Sequence, residues 1–330
     1  MKVLLTGATG FMGRHLLREL LADGHEVIGS NIVDVDIGVP LRVADVTDPE
    51  SLAGVAEGCE VVVHAAGNVN HRHEAAEQQW RVHVLGTQNM LAESKRAGVR
   101  RFVHISSSGT VAVSRDPDEI RDEHAPAPLD IIQSWPYYRS KLWAEQAVLA
   151  AEGIETIALN PSLLLGPGDL EGLTTRPVRY FLEDRVPGVP PGGLSFVDVR
   201  DVADAVALAV SRGRSGKRYL LGGANMSFAA FYGRLSRITG LPVPPLKLPR
   251  ATGSLLRWMP DLGREGGLGI FRRVDRLDLE FGCYTWYVDS RRAMTELNWR
   301  PRDPSDTLRD TVADLLSRLG GEQLPAQPRA

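Results

Sequence analysis

The chain is poor in sulfur and in lysine: its 330 residues include two cysteines, Cys59 and Cys283, and five lysines. Two thiols make no disulfide framework for a chain of this length, so reduced cysteines are expected. Neither sign of charge is in excess. A formal net charge of −3 gives no reason to expect nucleic acid or an anionic membrane as a partner. No apolar run approaches the roughly 18 residues of a membrane-spanning helix. The opening Met1-Lys2-Val3-Leu4-Leu5-Thr6-Gly7 lacks the apolar core and cleavage site of a secretory signal. These absences predict a cytoplasmic protein with a small-molecule substrate. What remains is ordinary globular composition, 43% hydrophobic and 24% charged, enough for one large α/β domain with a smaller appendage.

The first 160 residues alternate short apolar strands with amphipathic helices. Strands are predicted at 3–5, 26–29, 41–44, 61–63, 101–105 and 155–159, and helices at 13–23, 74–97 and from 137 onward. Leu16, Leu17, Leu20 and Leu21 form the apolar stripe of the first helix. Such interleaving predicts a doubly wound parallel sheet of Rossmann type, which binds its ligand at the carboxyl ends of the strands. After Pro161 the texture changes, with Gly and Pro dense at 166–193 and 240–269. Strand and helix return at 196–203, and a further strand at 218–221. The expected organisation is a first domain at 1–160, to which 195–222 returns. Residues 161–194 and 223–320 form a smaller C-terminal α/β substrate lobe, and 321–330 a flexible tail.

Two motifs carry chemistry. Thr6-Gly7-Ala8-Thr9-Gly10-Phe11-Met12-Gly13 joins the first strand to the first helix. Glycines there permit a tight turn, close approach of backbone N–H groups to a pyrophosphate, and close helix–strand packing. The second motif is Tyr137 and Lys141, at i and i+4 and so on one helix face. An ammonium beside a phenol favours the phenolate and lowers its pKa from about 10. A phenol so tuned exchanges a proton with an alcohol or a carbonyl oxygen. Tyr138 has Leu142 at i+4 and no such partner.

Further motifs follow in order: Asp45-Val46, Ala65-Ala66-Gly67, Ile105-Ser106-Ser107-Ser108, Tyr137-x-x-Ser140-Lys141-x-x-Ala144-Glu145, Pro161-Ser162, and Gly166-Pro167-Gly168-Asp169. With the glycine turn, this set resembles the extended short-chain dehydrogenase/reductase superfamily, which includes NAD-dependent epimerases and dehydratases, over residues 6 to about 300. The resemblance implies an NAD or NADP cofactor. It would be held by Gly7, Thr9, Gly10, Phe11, Met12 and Gly13, by Asp45 and Val46 at the adenine, by Ala65, Ala66 and Gly67, by Tyr137 and Lys141, and by Pro161, Ser162 and Leu163. It also implies Tyr137 as general acid or base, Lys141 as its partner, and a serine hydroxyl on the substrate oxygen. Aligning the strand end selects Ser107, while reading back from Thr110-Val111 selects Ser108. Relatives commonly form homodimers, for which Leu142, Ala147 and Leu149 are candidates, with core packing an equal account of them.

Asn31 stands where an acid reads the adenosine ribose or an arginine reads a 2′-phosphate. No Lys or Arg lies between Val27 and Leu41, which leans toward NAD, while Arg14 and Arg42 keep NADP open. The family's usual Asn on the fourth helix is replaced by His83. His64, His71, His73 and His83 lack a metal-ligand pattern, and no metal is expected.

The arginines that clamp the diphosphate of sugar nucleotides in relatives are missing at Leu194-Ser195-Phe196 and before Tyr287-Val288-Asp289-Ser290. Arg176, Arg179 and Arg185 remain as other sources of charge. The expected substrate border is apolar, drawn from Ile131, Ile132, Trp135, Leu163, Leu164, Leu165, Tyr180, Phe181, Trp258 and Met259, with plain core packing an equal account of half of them. The runs at 197–203 and 286–290 look most like the dihydroflavonol-reductase-like branch. The sequence therefore predicts an oxidoreductase passing hydride between nicotinamide and a ketone or secondary alcohol of an apolar, natural-product-like substrate. The alternatives are a sugar-nucleotide 4-epimerase with tightly bound NAD and a non-catalytic dinucleotide sensor.

Overall fold

The computed structural model describes residues 1–252 and 275–319. Its strands are β1 (Lys2–Thr6), β2 (Glu26–Asn31), β3 (Leu41–Val43), β4 (Val61–His64), β5 (Arg101–Ile105), β6 (Glu155–Pro161), β7 (Leu163–Leu165), β8 (Gly193–Asp198), β9 (Lys217–Leu221) and β10 (Ala224–Ser227). The helices among the described residues are α1 (Phe11–Ala22), α2 (Ala76–Gln79), α3 (Gly86–Arg96), α4 (Leu129–Ile132), α5 (Pro136–Leu149), α6 (Arg176–Leu182), α7 (Val199–Arg212), α8 (Phe228–Thr239), α9 (Arg276–Phe281) and α10 (Pro304–Leu319).

Seven strands form one parallel sheet in the order β3-β2-β1-β4-β5-β6-β9. Side chains alternate between its faces, and both faces are covered, so the strands are apolar throughout. Val3, Leu5, Val63 and Val103 pack with Leu16 and Leu20 of α1 and Val206 of α7. Leu4, Val62 and Phe102 pack on the other side with Met90 of α3 and Val148 of α5. The fold is thus the expected Rossmann-type α/β sheet.

Two expectations change in detail, and one open alternative is decided. The helix expected over 74–97 is interrupted: a 3-10 turn at His73–Ala75 and α2 lead into a π-turn at Trp80–Leu85 before α3. The wider turn carries His83 and Val84 inward. The strand expected to return to the main sheet at 196, β8, instead lies between β7 and β10 in a separate three-stranded sheet. Only α7 and β9 rejoin the large sheet, because β8 buries Leu194 and Phe196 against Val178, Phe231 and Leu308 of the small lobe. Leu142 is core rather than an outward-facing contact, packed with Trp135 and Ile132; Trp80, Leu85 and Trp143 are the exposed apolar residues of that region. Trp258, Met259 and the tail at 321–330 lie outside the described residues. Among the described residues, no helix is long and apolar enough to cross a membrane.

Candidate functional site

The carboxyl ends of β1, β4, β5 and β6 open into a cleft of about 490 Å³ that continues between the main sheet and the small lobe. Gly7, Thr9, Gly10, Phe11, Met12 and Gly13 line one end. Gly7 has φ +67°, and a Cβ on Gly13 would lie 2.0 Å from the Gly7 carbonyl oxygen, so neither position admits a side chain. Helix α1 begins from Gly10 with no side-chain cap and no acid in its first turn. Its first N–H groups are therefore left for an anion, with the helix dipole in support. These residues fit a pyrophosphate.

A hydroxyl chain stitches the turn to β4. Thr6 Oγ1 accepts from the N–H groups of Ala65 and Ala66, both at 3.2 Å. Its own proton then goes to His64 Nδ1 at 2.9 Å, and His64 Nε2–H donates to Thr87 Oγ1 at 3.1 Å. Burial, helped by the charge of Lys141, pushes His64 down to about 3 and keeps it neutral.

The adenine-end residues sit apart from this cleft lining. Asn31 closes β2 and donates to the Val33 carbonyl at 3.4 Å. Asp45 is exposed and caps the Thr47 N–H at 2.8 Å. Val46 is buried against Gly86, where a Cβ would come within 2.8 Å of Val46 Cγ2. Ala66 packs beside the Leu4–Val62 cluster, whereas Ala65 and Gly67 reach the cleft. Both nearby arginines are occupied. Arg42 donates to the carbonyls of Val55 at 2.7 Å and Glu57 at 3.0 Å. Arg14 donates to Thr9 and Gly168 carbonyls, each at 2.7 Å.

Ser107, Tyr137 and Lys141 line the middle of the cleft, with Pro161, Ser162 and Leu163 nearby. Pro136 opens α5 at its first turn, where its missing N–H is harmless. The helix buries Tyr137, Ser140, Lys141, Ala144, Glu145 and Val148 on one face. Trp135 anchors its start in an aromatic cluster, 4.8 Å from the Phe281 ring and donating to Glu280 at 3.2 Å.

The expected tuning of the phenol by the ammonium is not what this arrangement gives. Lys141 Nζ donates to the Ile105 carbonyl at 2.9 Å. Burial alone pushes Tyr137 up to about 12, and burial, opposed by Glu145, pulls Lys141 down to about 8. Tyr138 is raised too by burial, and its ring lies where a Cβ on Gly109 would stand, 2.2 Å away. Ser107 Oγ accepts from the Gly109 N–H at 3.3 Å, leaving its own proton to give. Ser108 also lines the cleft, so the geometry admits either hydroxyl.

Glu145 lies beneath this loop, fully buried. Its carboxylate takes Ser106 Oγ, Thr110 Oγ1 at 3.0 Å, Asn160 Nδ2 at 2.6 Å and Arg218 Nε at 2.9 Å. Asn160 in turn holds the Ser107 carbonyl at 3.1 Å through its second N–H.

The histidines do not converge on a metal; among the described residues no group of three His, Cys, Asp or Glu side chains is placed to hold one. His83 is a positioning group. Ser140 Oγ donates to the Tyr137 carbonyl at 2.8 Å, so it accepts from His83 Nδ1–H at 2.8 Å. His83 Nε2 then accepts from the Asn68 N–H at 2.9 Å.

The sequence reading missed His71. Its ring meets Tyr137 edge-on at 4.4 Å and stacks on Tyr138 at 5.6 Å. Burial, aided by Arg176, pulls it down to about 4. It sits on the loop after β4, and no local pattern marks it. The candidates for the substrate border divide between cleft and core. Leu163, Leu164 and Tyr180 line the cleft, but Ile131, Ile132 and Trp135 belong to the aromatic cluster and Leu165 and Phe181 to the small lobe's core. Arg176, Asp278, Phe281 and Trp286 take their place.

A family model described as the NAD dependent epimerase/dehydratase family matches residues 3–222. A protein of Synechocystis sp., provisionally named dihydroflavonol 4-reductase, is 32% identical over 323 residues, covering 94% of this chain and 92% of its own. Sterol demethylase protein B of Methylococcus capsulatus is 34% identical over 259 residues, or 76% of this chain and 78% of that one. The structure of MoeE5 in complex with UDP-glucose and NAD is similar with a TM-score of 0.73 at 25% identity, over 97% of this chain and 100% of the other.

Proposed function

The chain belongs to the NAD dependent epimerase/dehydratase family of extended short-chain dehydrogenases/reductases, and from that premise we propose that it reduces a ketone, or oxidises the corresponding secondary alcohol, of a largely apolar substrate with NAD as cofactor. The observation that carries the reading is that a phenol, a hydroxyl, an ammonium and an uncapped helix N-terminus line one cleft. The nicotinamide, when bound, supplies or accepts the hydride. The protein's own part is proton handling and positioning. With its pKa pushed up to about 12, Tyr137 keeps its proton at neutral pH and can give it to a carbonyl oxygen. Ser107 would donate to the same oxygen. Lys141, fixed to the Ile105 carbonyl, stays protonated below about pH 8 and lines the same cleft.

The test is Tyr137→Phe assayed on a panel of ketones with NADH. A loss of at least about 100-fold in kcat is expected, with the Kd for NADH, read by fluorescence, changed little. Turnover that survives in the variant would sink the acid–base role. The epimerase alternative draws support from the UDP-glucose complex of MoeE5. It predicts instead protein that retains NAD through purification and interconverts UDP-sugars without net NADH change. The sensor alternative predicts NADH binding with no Tyr137-dependent turnover at all.

A further inference from the structure

The substrate end of the cleft is lined largely by aromatic and aliphatic side chains; its charged groups are Asp169, whose carboxylate is taken up by its own loop, the exposed Glu171, and one ion pair. Arg176, in the first turn of α6, places Nη1 at 3.2 and 3.5 Å from the two carboxylate oxygens of Asp278 on α9. The side chains are 17% and 28% exposed, and both line the cleft. This is a single-nitrogen contact rather than the two-pronged fork of a saturated arginine–carboxylate pair. The remaining guanidinium N–H groups are therefore not used by Asp278. The pair stands close to the reacting centre. His71 touches the Tyr137 ring on one side and is influenced by the charge of Arg176 on the other.

A donor and an acceptor placed side by side in an apolar wall, with their charges balanced, select a particular chemistry. An uncharged hydroxyl satisfies both, accepting from the guanidinium and donating to the carboxylate. A hydrocarbon at that place would strip water from two polar groups and return nothing. An anion would gain Arg176 but stand against Asp278; the neighbouring Asp275 is itself paired with Arg72 at 3.5 Å. We propose that Arg176 and Asp278 are the specificity-determining pair of the substrate chamber, reading a hydroxyl group remote from the reacting carbonyl on an otherwise apolar, uncharged substrate. The proposal rests on the oxidoreductase reading for the identity of the reacting end, but the recognition itself does not depend on turnover.

Binding is therefore the primary readout. Calorimetry on the NADH-saturated protein would compare three matched probes: a naphthyl methyl ketone, its distal hydroxy derivative and its distal carboxy derivative. The hydroxy probe should bind at least tenfold tighter than either of the others. Arg176→Met should remove that preference, and Asp278→Asn should raise the relative affinity of the carboxy probe. An unchanged NADH Kd in both variants would show that the fold and the nucleotide end are intact. Equal binding of the three probes, no binding of any, or a hydroxyl preference that survives Arg176→Met would each overturn the proposal. Hydroxyl-selective binding without reduction of any probe would instead overturn the oxidoreductase reading and leave this one standing.

Discussion

Glu145 is the residue on which the serine loop depends. It is a fully buried carboxylate whose partners come from β5's loop, β6 and β9, none of them near it in sequence except through the helix itself. Removing one member of such a cluster leaves Arg218 and two hydroxyls without their partner in a dry place. Glu145→Ala is expected to lower stability by about 3–5 kcal/mol in chemical denaturation. A loss under about 1 kcal/mol would mean that water or rearrangement replaces it without strain. Legibility at this scale follows sequence distance. Tyr137 and Lys141 are readable because a helix puts i and i+4 together. The position of the ammonium is not readable, because the Ile105 carbonyl that receives it lies 36 residues away. His71 and Asp278 escape detection for the same reason, since nothing local distinguishes them from surface polar residues, and Arg176 is legible only as one of three candidate charges.

At the scale of elements, the β2–β3 edge is where a preference between NADH and NADPH is expected to arise. Asn31 at the end of β2 is followed by a loop with no cation before Arg42. Both arginines that left NADP open in the sequence prove to be committed to carbonyls, Arg42 around 55–57 and Arg14 between Thr9 and Gly168. A 2′-phosphate would have to be desolvated there without a cation. NADH should bind at least about tenfold more tightly than NADPH, or about 1.4 kcal/mol, in fluorescence titrations at moderate salt. Equal affinities would show that one of these arginines swings free. The alternation of strands and helices made the main sheet legible, because each β–turn–α unit is contiguous. The run at 196–203 misled because it too reads as strand followed by helix. Sheet membership is decided by what lies across the lobe, and β8 finds β7 and β10. The π-turn at Trp80–Leu85 likewise follows from tertiary demands on His83, not from propensity.

The whole molecule carries a cluster of neutral imidazoles in its interior. His64 is held at about 3, and His83 and His104 well below their ordinary range, in each case by burial first and the charge of Lys141 second. Below about pH 6.5 the unfolded chain protonates these groups and the native one does not. The unfolded state then binds more protons, so stability falls as pH falls. Each group contributes up to about 1.4 kcal/mol per pH unit within the window between its native value and about 6.5. Asp201 and Asp278, raised by burial, act in the opposite sense, but only as pH approaches the carboxylate range. The urea midpoint should drop clearly between about pH 7 and about pH 5; an unchanged midpoint would mean that the imidazoles charge within the native fold. One contact spans the two ends of the cleft. The Arg14 guanidinium holds the nucleotide turn through Thr9 and the loop of the small lobe through Gly168, while His15 meets the Pro167 carbonyl at 3.0 Å beside it. By thermodynamic reciprocity, whatever factor a ligand at the nucleotide end lends to affinity at the substrate end is returned in full, though no single ligand need touch both.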